Sequence, residues 1–185
     1  REAKTLPFGP GLLYADGYKS PQHWVGGSSI EGRYGMAGMW YDAQDCTLEA
    51  KKSWLMAGDE IVALGAGISS TIETTVENRK MNPGADYRLT LDGEAVLAAD
   101  GVLNAPSAHW AHFAGVDEHT NVGYWFPQPA TVNLQREART GSWYAISQPY
   151  NPKEPITRSY FTLWLDHGKS PNDATYAYVL LPGRD

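Results

Sequence analysis

The stretch Arg136 to Arg158 holds four cationic side chains, Arg136, Arg139, Lys153 and Arg158, against two acidic ones, Glu137 and Glu154, in a chain of net charge −6. A planar guanidinium can grip a carboxylate through two parallel N–H donors, so arginines this close in sequence suit a ligand that carries carboxylates. Trp143 and Tyr144 lie within the same stretch and could offer ring faces to a sugar. The plainer alternative is a set of arginines on loop edges, kept in water. Trp54, Trp110, Trp125 and Trp164 fall in strand-like runs, where core packing is the expectation.

A second candidate is the adjacent pair Asp59-Glu60, in a turn between two apolar runs. Adjacent carboxylates in a turn can give oxygens to Ca²⁺, which takes about six to eight of them in flexible geometry. Either a Ca²⁺ site or a solvated turn fits these residues. His109 and His112 stand three apart around Trp110. In a strand that spacing points them to opposite faces, so they are read as structural histidines and not as a metal pair. Scattered Ser and His residues form no nucleophile-elbow pattern, which argues against a hydrolase triad.

Composition sets the frame. At 185 residues the chain can bury a real core, and 12% aromatics with 19 Gly and 12 Pro suit an all-β protein with many turns. The acidic balance argues against nucleic acid as a partner. No run approaches the ~20 apolar residues that span a bilayer, so no membrane partner is expected. The single cysteine, Cys46, cannot form an internal disulfide. The chain starts at Arg1 without Met and stops after a strong strand, and both ends read as cuts in a longer protein.

The elements that must position these residues are organised around Lys51 to Lys80. Three runs, Ser53 to Met56, Glu60 to Leu64 and Ile72 to Val76, are separated by Ala57-Gly58-Asp59 and Gly65-Ala66-Gly67. Three strands folding back on one another are expected, with Ile72, Thr74 and Val76 on one dry face. Before them, residues 1–23 read as an irregular arm and Tyr34 to Ala43 as a strand. After them come Tyr87 to Leu91, an Asp92-Gly93 turn into Glu94 to Val96, a loop over Ala98 to Ser107, and strands at Trp110 to Phe113 and Val122 to Phe126. Pro127 and Pro129 are expected to end the last of these, since neither donates to a ladder. Val132 to Glu137, Trp143 to Ile146, Ser159 to Asp166 and Thr175 to Leu181 complete the set. The fold class is all-β: an antiparallel β-sandwich of roughly ten to twelve strands over residues 24–185.

Several long blocks also occur in one order: KKSWLMAGDEIVALGAGISST from Lys51, HWAHFAG from His109, GYWFP from Gly123, REARTGSW from Arg136, TRSYFTLWLDHG from Thr157 and YAYVLLP from Tyr176. In these the chain resembles the central β-sandwich of polysaccharide lyase family 8, nearly throughout from about Trp24, and its wording is nearest to the family's xanthan lyases. The resemblance implies a secreted, extracellular parent that cuts an acidic polysaccharide such as xanthan, hyaluronate or chondroitin by β-elimination. Its Tyr, His, Asn and Arg machinery would lie in an N-terminal α/α-toroid, with further β domains behind. None of those catalytic residues can be placed on this chain. The resemblance also implies that an arginine of the β-domain contacts the substrate's carboxylate, with Arg158 the first candidate and Arg136, Arg139 and Trp143 beside it. It associates Asp59 and Glu60 with calcium, although Gly58 stands where relatives carry another acid. A carbohydrate-binding module or a purely architectural piece are the other classes kept open.

Overall fold

The computed structural model describes residues 21–42, 47–147 and 151–184. Most of the expected arm over residues 1–23, and Cys46, lie outside them. Among the described residues eleven strands follow one another: β1 (Val25–Ile30), β2 (Tyr34–Asp42), β3 (Glu49–Ala57), β4 (Glu60–Ile68), β5 (Glu73–Met81) and β6 (Arg88–Leu91). Next come β7 (Glu94–Val96), β8 (Gly101–Ala114), β9 (Val122–Gly141), β10 (Ile156–Asp166) and β11 (Ala174–Pro182). A short 3₁₀ turn spans Glu118–Thr120, and one helical turn, α1, spans Trp143–Ile146.

Antiparallel ladders join all of them in the order β1-β2-β3-β4-β11-β9-β8-β6-β7, with β5 attached through β10 to β9. The sheet therefore forks at β9. Val122 to Trp125 pair with β11, Val132 to Gly141 pair with β10, and β8 lies along the opposite edge of both halves. The two arms then close over each other. Phe113 of β8 meets Phe161 of β10 at 5.4 Å between ring centroids, the Arg79 guanidinium of β5 sits 5.0 Å from the Phe113 centroid, and the Tyr124 hydroxyl of β9 donates to Glu77 of β5 at 2.7 Å. Tyr124, Phe113, Phe126, Phe161, Leu134, Leu163 and Val132 are almost wholly enclosed between the arms. Burying each such side chain contributes about 1.5–3 kcal/mol before conformational entropy is subtracted. This is the expected all-β sandwich, with its sheets continuous through one shared strand.

Local chemistry explains which expectations hold. The β3–β4 hairpin turns on Gly58 at φ 60°, with Ala57 opposite Glu60. The β6–β7 hairpin turns on Asp92 and Gly93, at φ 48° and 88°, the left-handed pair that a two-residue primed turn requires. Asp92 adds a second link, because its Oδ1 accepts from the backbone N–H of His109 and of Trp110.

Five expectations are corrected. β5 does not fold back on β4; it pairs with β10 across the core, and Gly65-Ala66-Gly67 lies inside β4 instead of ending it. Gly67 there takes φ 69°, next to the irregular pairing between Ala174 and Tyr176. Residues 101–107 are strand, not loop, because β9 is long enough to pair with them. Pro127 and Pro129 do not end β9: they fall between its β11-paired and β10-paired halves, opposite shifted registers in β8, where no ladder needs their missing N–H. Trp143 to Ile146 is a helical turn, not a returning strand. Ser142 caps it by accepting from the Ala145 N–H at 3.3 Å.

Candidate functional site

Side-chain parity sorts the arginines. In the β9–β10 ladder Arg158 stands opposite Arg139, Tyr160 opposite Glu137 and Thr162 opposite Gln135. On the other side of β10, Tyr160 pairs with Lys80 and Thr162 with Asn78. Residues that face each other across a ladder share one sheet face, so these eight form one polar face. Arg136 is out of phase with them. It lies on the core side, where its Nη1 donates to the Ala98 carbonyl at 3.0 Å and its Nε stands 3.9 Å from Asp100. Arg136 therefore ties down the segment ahead of β8 and does not join the other two.

Arg139 is fully engaged. Its Nε donates to Glu137 at 2.7 Å, its Nη1 to Asn78 at 2.8 Å and its Nη2 to Thr162 at 2.6 Å, while its guanidinium lies 4.7 Å from the Tyr160 ring centroid. Gln135 completes the row by donating to the other oxygen of Glu137. Arg158 is different. It is exposed, its Nη1 donates to the Thr157 carbonyl at 2.7 Å, and among the described residues no carboxylate pairs with it. Lys80 is likewise exposed on this face. Glu137 offsets one positive charge, and the excess is left at Arg158 and Lys80.

Trp143 stands beyond the same end of the ladder, two residues after the Gly141–Ile156 pair, and is 56% exposed. Its turn is fastened by the Tyr144 N–H donating to the Pro152 carbonyl at 2.9 Å, and Lys153 Nζ lies 4.5 Å from the Tyr144 centroid. The face thus joins Arg158, Arg139, Lys80 and Tyr160, with Trp143 and Lys153 at its end. Lys80 and Tyr160 had drawn no attention in the sequence. The signal was available: strand parity, which separates His109 from His112, also separates Arg136 from Arg139 and aligns Tyr160 with Arg158.

Among the described residues the remaining candidates do not assemble a reactive centre. Asp59 accepts from Arg184 at 3.3 Å in an exposed turn, and no group of three or more His, Cys, Asp or Glu side chains able to hold a metal occurs among the described residues. Asp59 and Glu60 alone are too few oxygens for a Ca²⁺ shell. Burial, reinforced by the Glu77 carboxylate, holds the Tyr124 phenol far above its ordinary pKa, so it stays a hydrogen-bond donor. Tyr176 is pushed up to about 12 by burial first and by Tyr178 second. His167, depressed by burial against the opposing pull of Asp166, is engaged by Thr74 at 2.7 Å. His112 stacks on Trp110, away from the cationic face.

Comparison with known proteins gives these residues a context. A family model described as polysaccharide lyase family 8, super-sandwich domain, matches residues 10–185. Xanthan lyase of Bacillus sp. (strain GL1) is 46% identical over 162 residues, which cover 84% of this chain and 17% of that protein. Hyaluronate lyase of Thermasporomyces composti is 37% identical over 165 residues, covering 86% of this chain and 20% of that protein. Among solved structures, a Paenibacillus xanthan lyase superposes with a TM-score of 0.83 at 42% identity, over 88% of this chain and 16% of its own. The chain spans about a fifth or less of the length of these relatives.

Proposed function

The chain belongs to polysaccharide lyase family 8, and on that premise we propose that it is the super-sandwich portion of a secreted lyase that cuts an acidic polysaccharide, xanthan first, by β-elimination. The reaction leaves an unsaturated uronate, and its acid and base are supplied by another domain of the parent. This portion forms one wall of the substrate cleft. Its contribution is to hold carboxylates of the polysaccharide on the face that carries Arg158. Hyaluronate or chondroitin is the alternative substrate, favoured by the 37% identity to a hyaluronate lyase. A Ca²⁺ ion at Asp59 and Glu60 would need oxygens beyond those two carboxylates.

One observation carries the reading: Arg158 is exposed and pairs with no carboxylate among the described residues, next to an Arg139 whose every nitrogen donates within the protein. Arg139 keeps the local backbone and Tyr160 in place and biases the field, and Arg158 is left to offer the two-pronged grip. The test is Arg158→Glu in the whole lyase. A rise in KM and a fall in kcat/KM of about tenfold or more is expected, since reversing a charge-assisted contact costs at least about 1.4 kcal/mol. Unchanged turnover and affinity would leave the piece an architectural one. The isolated chain should release no ultraviolet-absorbing unsaturated sugar.

A further inference from the structure

Across the fork from Arg158, on the ribbon β1–β4, a shallow groove of about 430 Å³ is lined by Trp24, Trp40, Lys51, Lys52, Ser53 and Leu64. The registers explain its shape. Trp40 stands opposite Lys51, and the Trp24 carbonyl accepts from the Trp40 N–H at 2.9 Å, so Trp24, Trp40 and Lys51 form one row across three strands. The next row runs Gly26, Gly38, Ser53 and Leu64. Glycine and serine make this second row a low floor, and the Trp24 ring lies over Gly38 so closely that a Cβ there would strike it. These rows face away from the core, which takes the alternate residues Trp54 and Ala63. Trp24 is 57% exposed.

We propose that this groove is a binding subsite for a carboxylate-bearing saccharide unit, separate from the face that carries Arg158. The two indole rings offer flat apolar surface to the C–H face of a pyranose. Lys51 Nζ lies 4.8 Å from the Trp40 centroid, so one ammonium group borders the ring surface where a uronate or acetal carboxylate would sit, whereas Lys52 Nζ reaches the Trp54 ring on the other face of the ribbon. Lys51 forms no ion pair among the described residues, and none of the described lining residues is acidic, although Asp42 and Glu49 face each other in the next row of the same face. An aromatic recess that carries Lys51 suits an anionic sugar in shape and offers its carboxylate one ammonium partner. The inference rests on the reading of the parent as a lyase of acidic polysaccharide, and it adds a second point of attachment for a long chain.

The test is affinity electrophoresis of the full-length protein in native gels containing xanthan, and in gels containing carboxyl-reduced xanthan. Trp24→Ala and Lys51→Glu, both at exposed positions, are expected to weaken retention about tenfold, a loss of ~1.4 kcal/mol. Lys51→Arg should keep it, and carboxyl reduction should abolish the difference between wild type and Lys51→Glu. Thermal midpoints equal to wild type confirm that the variants fold. Arg158→Glu in the same gels separates the two sites. A loss with Arg158→Glu alone overturns the groove and leaves the cleft reading standing, whereas a loss with Trp24→Ala and Lys51→Glu alone upholds the groove and removes the cleft role of Arg158. If wild-type retention appears only after residues 1–20 are deleted, the chain's own N-terminal segment is the occupant and the proposal falls.

Discussion

Arg139 and Arg158 stand directly opposite each other across the β9–β10 ladder, yet one is bound at every nitrogen and the other, exposed, donates only to the Thr157 carbonyl among the described residues. Like charges in that position repel. Glu137, which bonds Arg139 at 2.7 Å, is what makes the pair tolerable. Arg139→Ala is therefore expected to lower stability by about 2 kcal/mol, because it removes a charged hydrogen bond from each of Glu137, Asn78 and Thr162. Arg139→Lys should recover little, since an ammonium cannot reproduce a three-way fork. Arg158→Ala should stay within about 0.5 kcal/mol of wild type. Urea unfolding of the three variants checks this, and equal losses at both positions would contradict the division between a structural and a free arginine.

Gly123 lies beneath the Trp110 ring, and a Cβ built there would fall within the ring edge. Gly123→Ala should therefore force Trp110 off its seat and out of its stack with His112, at a cost of about 1–3 kcal/mol. Near-ultraviolet circular dichroism reads the tryptophan directly, and denaturation reads the cost. Gly141→Ala is the control, since nothing lies within 4 Å of a Cβ at Gly141. A similar small effect at both sites would show that the close packing is not felt.

His167 supplies a pH dependence. Burial holds it below its ordinary 6.5, so the unfolded chain binds the proton more tightly than the folded one. The contribution to stability is complete above pH 6.5 and is lost as pH falls from there towards the lower folded value. His167→Gln keeps a group able to reach Thr74 but removes the titration. Urea midpoints at mildly acidic and neutral pH should converge for this variant and diverge for the wild type. Parallel profiles would show that His167 titrates alike in both states.

Calcium provides a direct comparison. Asp59 already accepts from Arg184, and no third metal-binding side chain joins it and Glu60 among the described residues. Adding Ca²⁺ to this chain, or chelating it, should leave the thermal midpoint unchanged, because a ligand stabilises only in proportion to its occupancy of the folded state. An upward shift that grows with Ca²⁺ concentration would mean that the β3–β4 turn gathers backbone or water oxygens into a working site.

The sequence disclosed the parts of this fold that depend on one residue and its neighbours. Alternation at Ser159 to Asp166 located β10, and Asp92-Gly93 located a hairpin, because left-handed backbone angles single out such pairs. Partners distant in the chain were not legible. Ile72 to Val76 has the same alternation whether its neighbour is β4 or β10, and Pro127 and Pro129 look like breakers until the handover along β9 is seen. The candidate site was partly legible. Arg158 and Arg139 do meet, Arg136 does not, and Trp143 flanks them on a helical turn instead of a strand. The groove of Trp24, Trp40 and Lys51 escaped notice because it is a product of three registers, none of which a single strand reveals.

The shared strand also makes the alignment of the two arms a single choice. If β9 slid by one residue, Val132 and Leu134 would turn outward in one arm at the same moment as Tyr124 and Phe126 did so in the other. An error of threading cannot be confined to either half, and misaligned versions of both are rejected together during assembly.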